Sequence, residues 1–356
     1  MKIVRYEASC VDLPLLEGYR IAGRTITFVR NFLLRLQADS GLVGHGSAAP
    51  AQEVTGESEQ ACLAALRGPL RDLTMGTATV ETPPRLMDPA RAAAPGCPAA
   101  CAALDIALWD LAAQRAGVPL VRLWGGVPRA LPTSVTIGVC SLEETLEAAR
   151  RWLQQGFRIL KVKVGEDVEA DIERLVRLRE QCGAQVSLRA DANQGYTLEQ
   201  ARALLRGTEA IDLQMLEQPL QASDLDGLGT LRRESRVPIL ADESVCSIEQ
   251  AEAIADGRLA HGINIKLMKC GGPSPARVIH DRAHAAGLSL MLGCNDESRI
   301  SIAAAAHLAM ALPGVAYADL DGHLDLASDP ATGGIDLADG CLRVSERPGL
   351  GIEVKN

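Results

Sequence analysis

Leu160-Lys161-Val162-Lys163-Val164-Gly165 decides how the rest of this chain is read. A short apolar run carries two lysines two residues apart, and strand alternation puts both on one face. An interior lysine is costly unless it is paired or functional. The pattern recurs downstream. Asp191-Ala192-Asn193, Glu217 in Leu216-Glu217-Gln218-Pro219, Asp242-Glu243 and Lys266 each close a short apolar run, and a helix-like stretch follows each.

Working outward, candidate strands fall at 132–138, 159–165, 186–191, 214–218, 238–243, 262–268, 288–293 and 316–321, at near-even spacing. Helical patterns lie between them at 142–155, 197–205, 247–255 and 274–286, with Ser141 and Ser247 as N-caps and Gly287 closing the last. Strands alternating with helices predict an α/β fold, a modified (β/α)8-type barrel of which (β/α)7β is one form. Residues 1–125 read instead as an α+β capping domain. Its strands lie at 2–13, 25–39 and 42–47, the last two joined by Ser40-Gly41, and its clearest helix at 100–114. The barrel takes 126–322. Residues 323–356 are β-like pieces expected to return to the capping domain.

Composition narrows the function. Hydrophobic residues make up 47% of 356, enough for a large core, but aromatics only 3%, so Leu, Ala, Val and Ile must build it. A net charge of −9 argues against nucleic acid or an anionic membrane as partner. No apolar run is long enough to span a bilayer, and the start of the chain reads as a strand rather than a signal peptide. A cytoplasmic location is expected. The ten cysteines are scattered and read as reduced, mostly buried thiols. His280 and His284 read as surface or packing residues, with no zinc spacing around them.

In such a barrel the C-terminal strand ends share one mouth. Asp191, Glu217 and Asp242 come from three adjacent strands. Oxygen ligands without His or Cys suit a hard cation, Mg2+. Asn193 and Glu243 flank them in a supporting role. Lys163 and Lys266, four strands apart, face each other across the ligands. Lys161 adds positive charge, and this cationic surrounding is expected to lower the pKa of Lys163. A substrate carboxylate on the metal would hold its α-carbon between two amines. One lysine removes a proton from one face and the other returns it to the opposite face. Racemisation or epimerisation follows, or elimination where a leaving group lies β to the carboxylate.

These motifs, together with Asn264-Ile265-Lys266-Leu267-Met268-Lys269-Cys270-Gly271-Gly272, resemble the muconate-lactonizing subgroup of the enolase superfamily over nearly the whole chain. A Lys or His base working with Mg2+ is an established pattern of that superfamily. Asp319-Leu320-Asp321 is similar to the Asp-x-Asp motif with which dipeptide epimerases hold the substrate's free α-ammonium group. Arg24-Thr25 and Thr55-Gly56 resemble capping-loop features of those enzymes. The resemblance also implies a homo-oligomer.

It implies a small dipeptide substrate without fixing which. Arg24 matches a position that meets a glutamate side chain, as in L-Ala-D/L-Glu epimerases of murein recycling. Cys294-Asn295-Asp296-Glu297-Ser298 departs from the usual apolar pattern, and Asp296 favours a cationic side chain, with Glu17 and Glu53 adding to it. Gly44-His45-Gly46-Ser47 departs from Gly-x-Gly-Glu. The expectation is an epimerase of hydrophilic, cationic dipeptides. The alternatives are the Ala-Glu enzyme, an N-succinylamino acid racemase or o-succinylbenzoate synthase, and a binding protein that keeps the fold without catalysis. Residues 15–25 and 50–58 are expected to close over the mouth.

Overall fold

The computed structural model describes residues 1–21, 24–76 and 83–355, with the side chains of 19–25 outside that description. Strands β1 (Ile3–Ile21), β2 (Arg24–Ala38) and β3 (Val43–Ala48) form one antiparallel sheet. β1 and β2 run further than the sequence suggests, because pairing resumes at Tyr19↔Ile26 after a register shift. The stretch expected to be a lid loop is therefore largely hairpin. It docks beyond the end of the barrel. Leu16 N donates to Asp325 O at 2.8 Å, Ala327 N to Pro14 O at 2.7 Å, and Leu13, Leu15 and Leu326 are buried together.

The alanine-rich helix Pro98–Ala116 is buried on nearly every side, so its apolar residues show no single stripe. It packs on β3, where a Cβ at Gly46 would lie 1.9 Å from Ala103 O and one at Gly44 2.3 Å from Ala107 O. That close approach explains both glycines of Gly44-His45-Gly46-Ser47. The other side of the helix grips the chain around Lys266. Asp105 accepts from Ser274 N at 2.6 Å and Ser274 Oγ at 2.7 Å, and Trp109 Nε1 donates to the same hydroxyl at 2.9 Å. Burial pushes the Asp105 carboxyl up to about 7. Ala49 N meets Met268 Sδ at 3.3 Å.

After the two-residue β4 (Leu131–Pro132), eight parallel strands follow in ring order. They are β5 (Val135–Ile137), β6 (Ile159–Lys163), β7 (Ser187–Asp191), β8 (Leu213–Glu217), β9 (Ile239–Ala241), β10 (Gly262–Lys266), β11 (Ser289–Gly293) and β12 (Val315–Asp319). Ser134 N donates to Ala318 O at 3.1 Å and brings the last strand to the first. Helices fill the seven connections, and among the described residues none follows β12. The barrel is therefore (β/α)7β. Ser141 and Glu144 form a reciprocal cap, as do Thr197 and Gln200, and Ser247 caps its helix through Gln250 N.

Two strands differ from the sequence reading. The run 132–138 splits, because Thr133 N turns to Gly340 O while Ser134 N turns to β12. The run 262–268 stops at Lys266, where a one-turn helix, Leu267–Cys270, begins and then closes on Gly271 at φ 92°. The remaining strands are β13 (Ala331–Gly333), β14 (Ile335–Ala338), β15 (Cys341–Val344) and β16 (Ile352–Val354). β13 pairs with β16, and β15 lies between β14 and β4. Leu350 N reaches Asp110 Oδ1 at 2.8 Å in the capping helix, so this segment touches both parts of the chain. All ten cysteines are free thiols, and only Cys10 is exposed. Among the described residues no helix is long and apolar enough to cross a membrane.

Candidate active site

Register brings the predicted residues to one level. Lys163 pairs with Asp191 and Asp191 with Glu217, while across the barrel Lys266 pairs with Gly293 and Gly293 with Asp319. Asp242 lies one residue past β9. Below them Met215, Leu240 and Met291 form a small core of their own with Tyr317 against it, filling the barrel floor.

Asp191, Glu217 and Asp242 are buried side by side among lysines. Lys161 Nζ lies 2.9 Å from Asp191 Oδ2, 2.7 Å from Glu217 Oε2 and 2.7 Å from Asp319 Oδ2. Lys163 Nζ is 2.7 Å from Asp191 Oδ2, and Lys266 Nζ is 2.9 Å from Asp242 Oδ2. The two facing lysines thus stand at opposite ends of the carboxylate row. Burial alone would push all three acids up, but Lys161 and Lys163 hold Asp191 well below the carboxylate range, as Lys266 and Lys269 hold Asp242. Glu217 goes the other way, to about 7, because burial is joined by repulsion from Asp191.

Glu217 Oε2 and Asp242 Oδ2 meet an ammonium at ion-pair distance but have no hydrogen-bond partner. Buried oxygens in that state call for a further positive group. Three carboxylates from neighbouring strands match a hard cation in donor type. Among the described residues no three such side chains already form a metal cage; Asp191 and Glu217 both stand against Lys161.

Lys163 shares Asp191 Oδ2 with the Lys161 ammonium, but its own hydrogen bonds go to acceptors. Lys163 Nζ donates to Asp191 Oδ2 and to Asn193 Oδ1, both at 2.7 Å, an anion and an amide oxygen. For Lys266, burial works to lower the pKa but Asp242 outweighs it, and the ammonium is held above its ordinary range. Asn193 Nδ2 donates to Glu243 Oε1 at 3.1 Å, so the two flanking residues do meet.

The loops here are tightly set. Asn193, Gln194 and Gln218 adopt φ of 40°, 70° and 34°, a left-handed conformation that side chains rarely take outside constrained sites. A Cβ on Gly195 would lie 2.3 Å from Gly165 O. Gly195→Ala must therefore part the loops that carry Lys163 and Asn193. We expect kcat to fall about 10²-fold, as for a misplacement near 1 Å, with an unchanged circular dichroism spectrum. An unchanged kcat would show that this contact does not set the lysine.

Asp319 is not a bare carboxylate. Ser134 Oγ donates to its Oδ1 at 2.6 Å and Lys161 to its Oδ2 at 2.7 Å. Asp321 lies beyond β12, where its Oδ2 accepts from Thr136 N at 2.6 Å. Burial, then Asp319, pushes it up to about 6. Gly322 lies so close to the 295–296 loop that a Cβ would sit 1.9 Å from Asn295 O. Asp296 is half-buried there. Asp325 is pushed up to about 8 by burial and then by Asp321, Asp296 and Glu17. Carboxylates from the capping hairpin and from the last two strand ends therefore lie within electrostatic reach of Asp325, and Glu17 also stands 3.4 Å from Arg151. Thr55 does not join them. Its hydroxyl donates to Ala51 O at 2.9 Å and accepts from Ala51 N at 3.1 Å, within its own turn. Glu53 is exposed on that same turn. The side chain of Arg24 lies outside the described residues.

Sequence reasoning missed several neighbours. Asn264 Nδ2 donates to Glu217 Oε1 at 2.7 Å. Arg189 lies fully inside the barrel, with Nη1 2.9 Å from Ala318 O and 3.1 Å from Ser134 Oγ, and its guanidinium over the Tyr317 ring. Each stands two residues before a singled-out residue, so one further step of strand alternation finds both. Lys269 and Asp325 carry no such signal.

The description "Mandelate racemase / muconate lactonizing enzyme, N-terminal domain" fits residues 8–125, and "Enolase C-terminal domain-like" fits residues 144–356. The chain is 47% identical to the L-Lys-D/L-Arg epimerase of Methylococcus capsulatus, over 99% of each protein. It is 37% identical to the L-Ala-D/L-Glu epimerase of Bacillus subtilis, over 99% of this chain and 97% of that one. The crystal structure of the Methylococcus capsulatus dipeptide epimerase complexed with Mg and L-Arg-D-Lys superposes with a TM-score of 0.95, at 46% identity and 99% coverage of both chains. The chain belongs to the mandelate racemase and muconate lactonizing enzyme family of the enolase superfamily.

Proposed function

We propose that this chain is a Mg2+-dependent dipeptide epimerase that inverts the α-carbon of the C-terminal residue by two-base proton transfer and prefers cationic dipeptides. The observation that carries the reading is the placement of Lys163 and Lys266 at opposite ends of the buried Asp191, Glu217 and Asp242 row. The three carboxylates are the ligands. Bound there, Mg2+ supplies positive charge against the second negative charge a substrate carboxylate develops as its α-proton leaves. Lys163 takes or returns the proton on one face and Lys266 on the other. Lys266, with 6% of its side chain exposed against 28% for Lys163, works in the drier half of the site. Asn193 orients Lys163 through its amide oxygen, and Glu243 holds Asn193. Asp321 takes the substrate's α-ammonium, and Asp319 works with it through Lys161. Mg2+-dependent uptake of one solvent deuterium at a dipeptide α-carbon tests the reaction.

The acidic wall supports the cationic preference. Asp321, Asp296 and Glu17 each repel Asp325, and a lysine or arginine side chain would relieve that repulsion. The Methylococcus relatives, one of them bound to L-Arg-D-Lys, point the same way. Asp296→Asn and Asp325→Asn should each lower kcat/KM for Lys- and Arg-containing dipeptides about 10- to 100-fold, the worth of a charged hydrogen bond of about 1.5–3 kcal/mol. Neutral dipeptides should be spared. Equal losses for both substrate classes would remove these residues from selectivity.

A further inference from the structure

Lys269 is a fully buried lysine to which the reaction gives no task. It lies on the one-turn helix Leu267–Cys270, one turn past Lys266. Its ammonium donates to the Oδ1 and the backbone carbonyl of Asp242, and at 3.2 Å to Asn264 O. Asn264 in turn donates through Nδ2 to Glu217 Oε1 at 2.7 Å. One buried cation thus joins two of the three carboxylates. Each is held by one oxygen, Asp242 Oδ1 or Glu217 Oε1, while the other, Oδ2 or Oε2, has no hydrogen bond.

We propose that Lys269 is a positioning residue for the cation site, tying Asp242 Oδ1 so that Oδ2 is presented beside Lys266. The proposal rests on the reading of Asp191, Glu217 and Asp242 as ligands. A carboxylate turns freely about its last bond unless one oxygen is tied. With Oδ1 tied by a charged donor, Oδ2 is committed to the interior. A buried ammonium with three oxygen acceptors also offsets the cost of crowding three acids together.

The capping domain holds Lys269 in place. The helix that carries it is followed by Gly271 and Gly272, at φ 92° and 113°, and then by Ser274, which Asp105 binds. A Cβ on Gly272 would lie 2.7 Å from Asp105 Cβ. Ala49 N reaches Met268 Sδ. Capping-domain contacts thereby bear on the backbone that aims both Lys266 and Lys269.

The test is Mn2+ binding to the metal-stripped protein, read by electron paramagnetic resonance without substrate. K269M should weaken Mn2+ binding about 10- to 100-fold, the range for partners that orient metal ligands. K269R, which keeps a charged donor, should recover most of it. Mn2+ affinity within about threefold of the parent in K269M would overturn the proposal, as would K269R binding no better than K269M. Should K269M not fold, K269Q carries the same comparison with K269R, since it removes the charge but keeps a donor. The titration needs no turnover. Parent protein that binds Mn2+ but labels no dipeptide would refute the substrate reading and leave this proposal standing. Parent protein that binds no Mn2+ would overturn both.

Discussion

Lys163→Ala and Lys266→Ala should each reduce epimerisation about 10²- to 10⁴-fold, the usual contribution of a positioned general acid or base. The two losses should not look alike under deuterium labelling. Each variant keeps one lysine, and that lysine still reaches one face of the α-carbon. Lys163→Ala should exchange the α-proton of one stereoisomer of the dipeptide's C-terminal residue, and Lys266→Ala that of the other. The pairing of Lys163 with Asp191 and of Lys266 with Asp242 keeps the amines on separate sides. The check is single-turnover exchange of L,L and L,D isomers in D2O, followed by mass spectrometry. Exchange of the same isomer by both variants would contradict a two-base site. So would near-parental epimerisation in either one.

Lys161→Met should have the largest effect on stability. Its ammonium is shared by Asp191, Glu217 and Asp319, and its side chain is 2% exposed. Burial lowers the pKa of such a group, but Asp191, Asp319 and Glu217 together hold it well above the ordinary lysine value. Removing one partner of a buried ion pair leaves uncompensated charge and costs about 3–5 kcal/mol. Thermal unfolding in EDTA should show a clearly lower midpoint for the variant. Added Mg2+ should raise that midpoint more in the variant than in the parent, because the ion replaces a missing cation. Equal midpoints in EDTA would show that the carboxylates do not depend on Lys161 for charge balance.

The barrel was legible because most strands end in, or one residue before, a residue too polar for the run, as at Lys163, Asp191, Glu217, Asp242, Lys266 and Asp319. The run 159–163 reads as a strand from its apolar alternation and as a site from its lysines. What did not read was whatever depends on distant pairing. Leu131–Pro132 looks continuous with Val135–Ile137, yet the first pairs with Cys341–Val344 and the second with the barrel. The partner that draws the first away is some 200 residues on in sequence. The same limit governs the site. Asp191, Glu217, Asp242, Lys163 and Lys266 announce themselves at strand ends. Lys269 becomes a partner of Asp242 only because the strand breaks into a helical turn after Lys266. Asp325 joins the acidic wall only because the capping hairpin docks at Leu15 and Leu326. Thr55, singled out by motif, donates its hydroxyl to Ala51 O within its own turn.

The most direct measurement is a mass-spectrometric screen of L,L-dipeptide pools incubated with the protein in D2O, with Mg2+ and with EDTA. Each substrate whose α-carbon is turned over gains one deuterium. The account predicts Mg2+-dependent labelling concentrated in dipeptides that carry Lys or Arg. Labelling mainly of Ala-Glu would contradict the cationic preference while keeping the reaction. No labelling of any dipeptide, with exchange of N-acylamino acids instead, would contradict the proposed function itself.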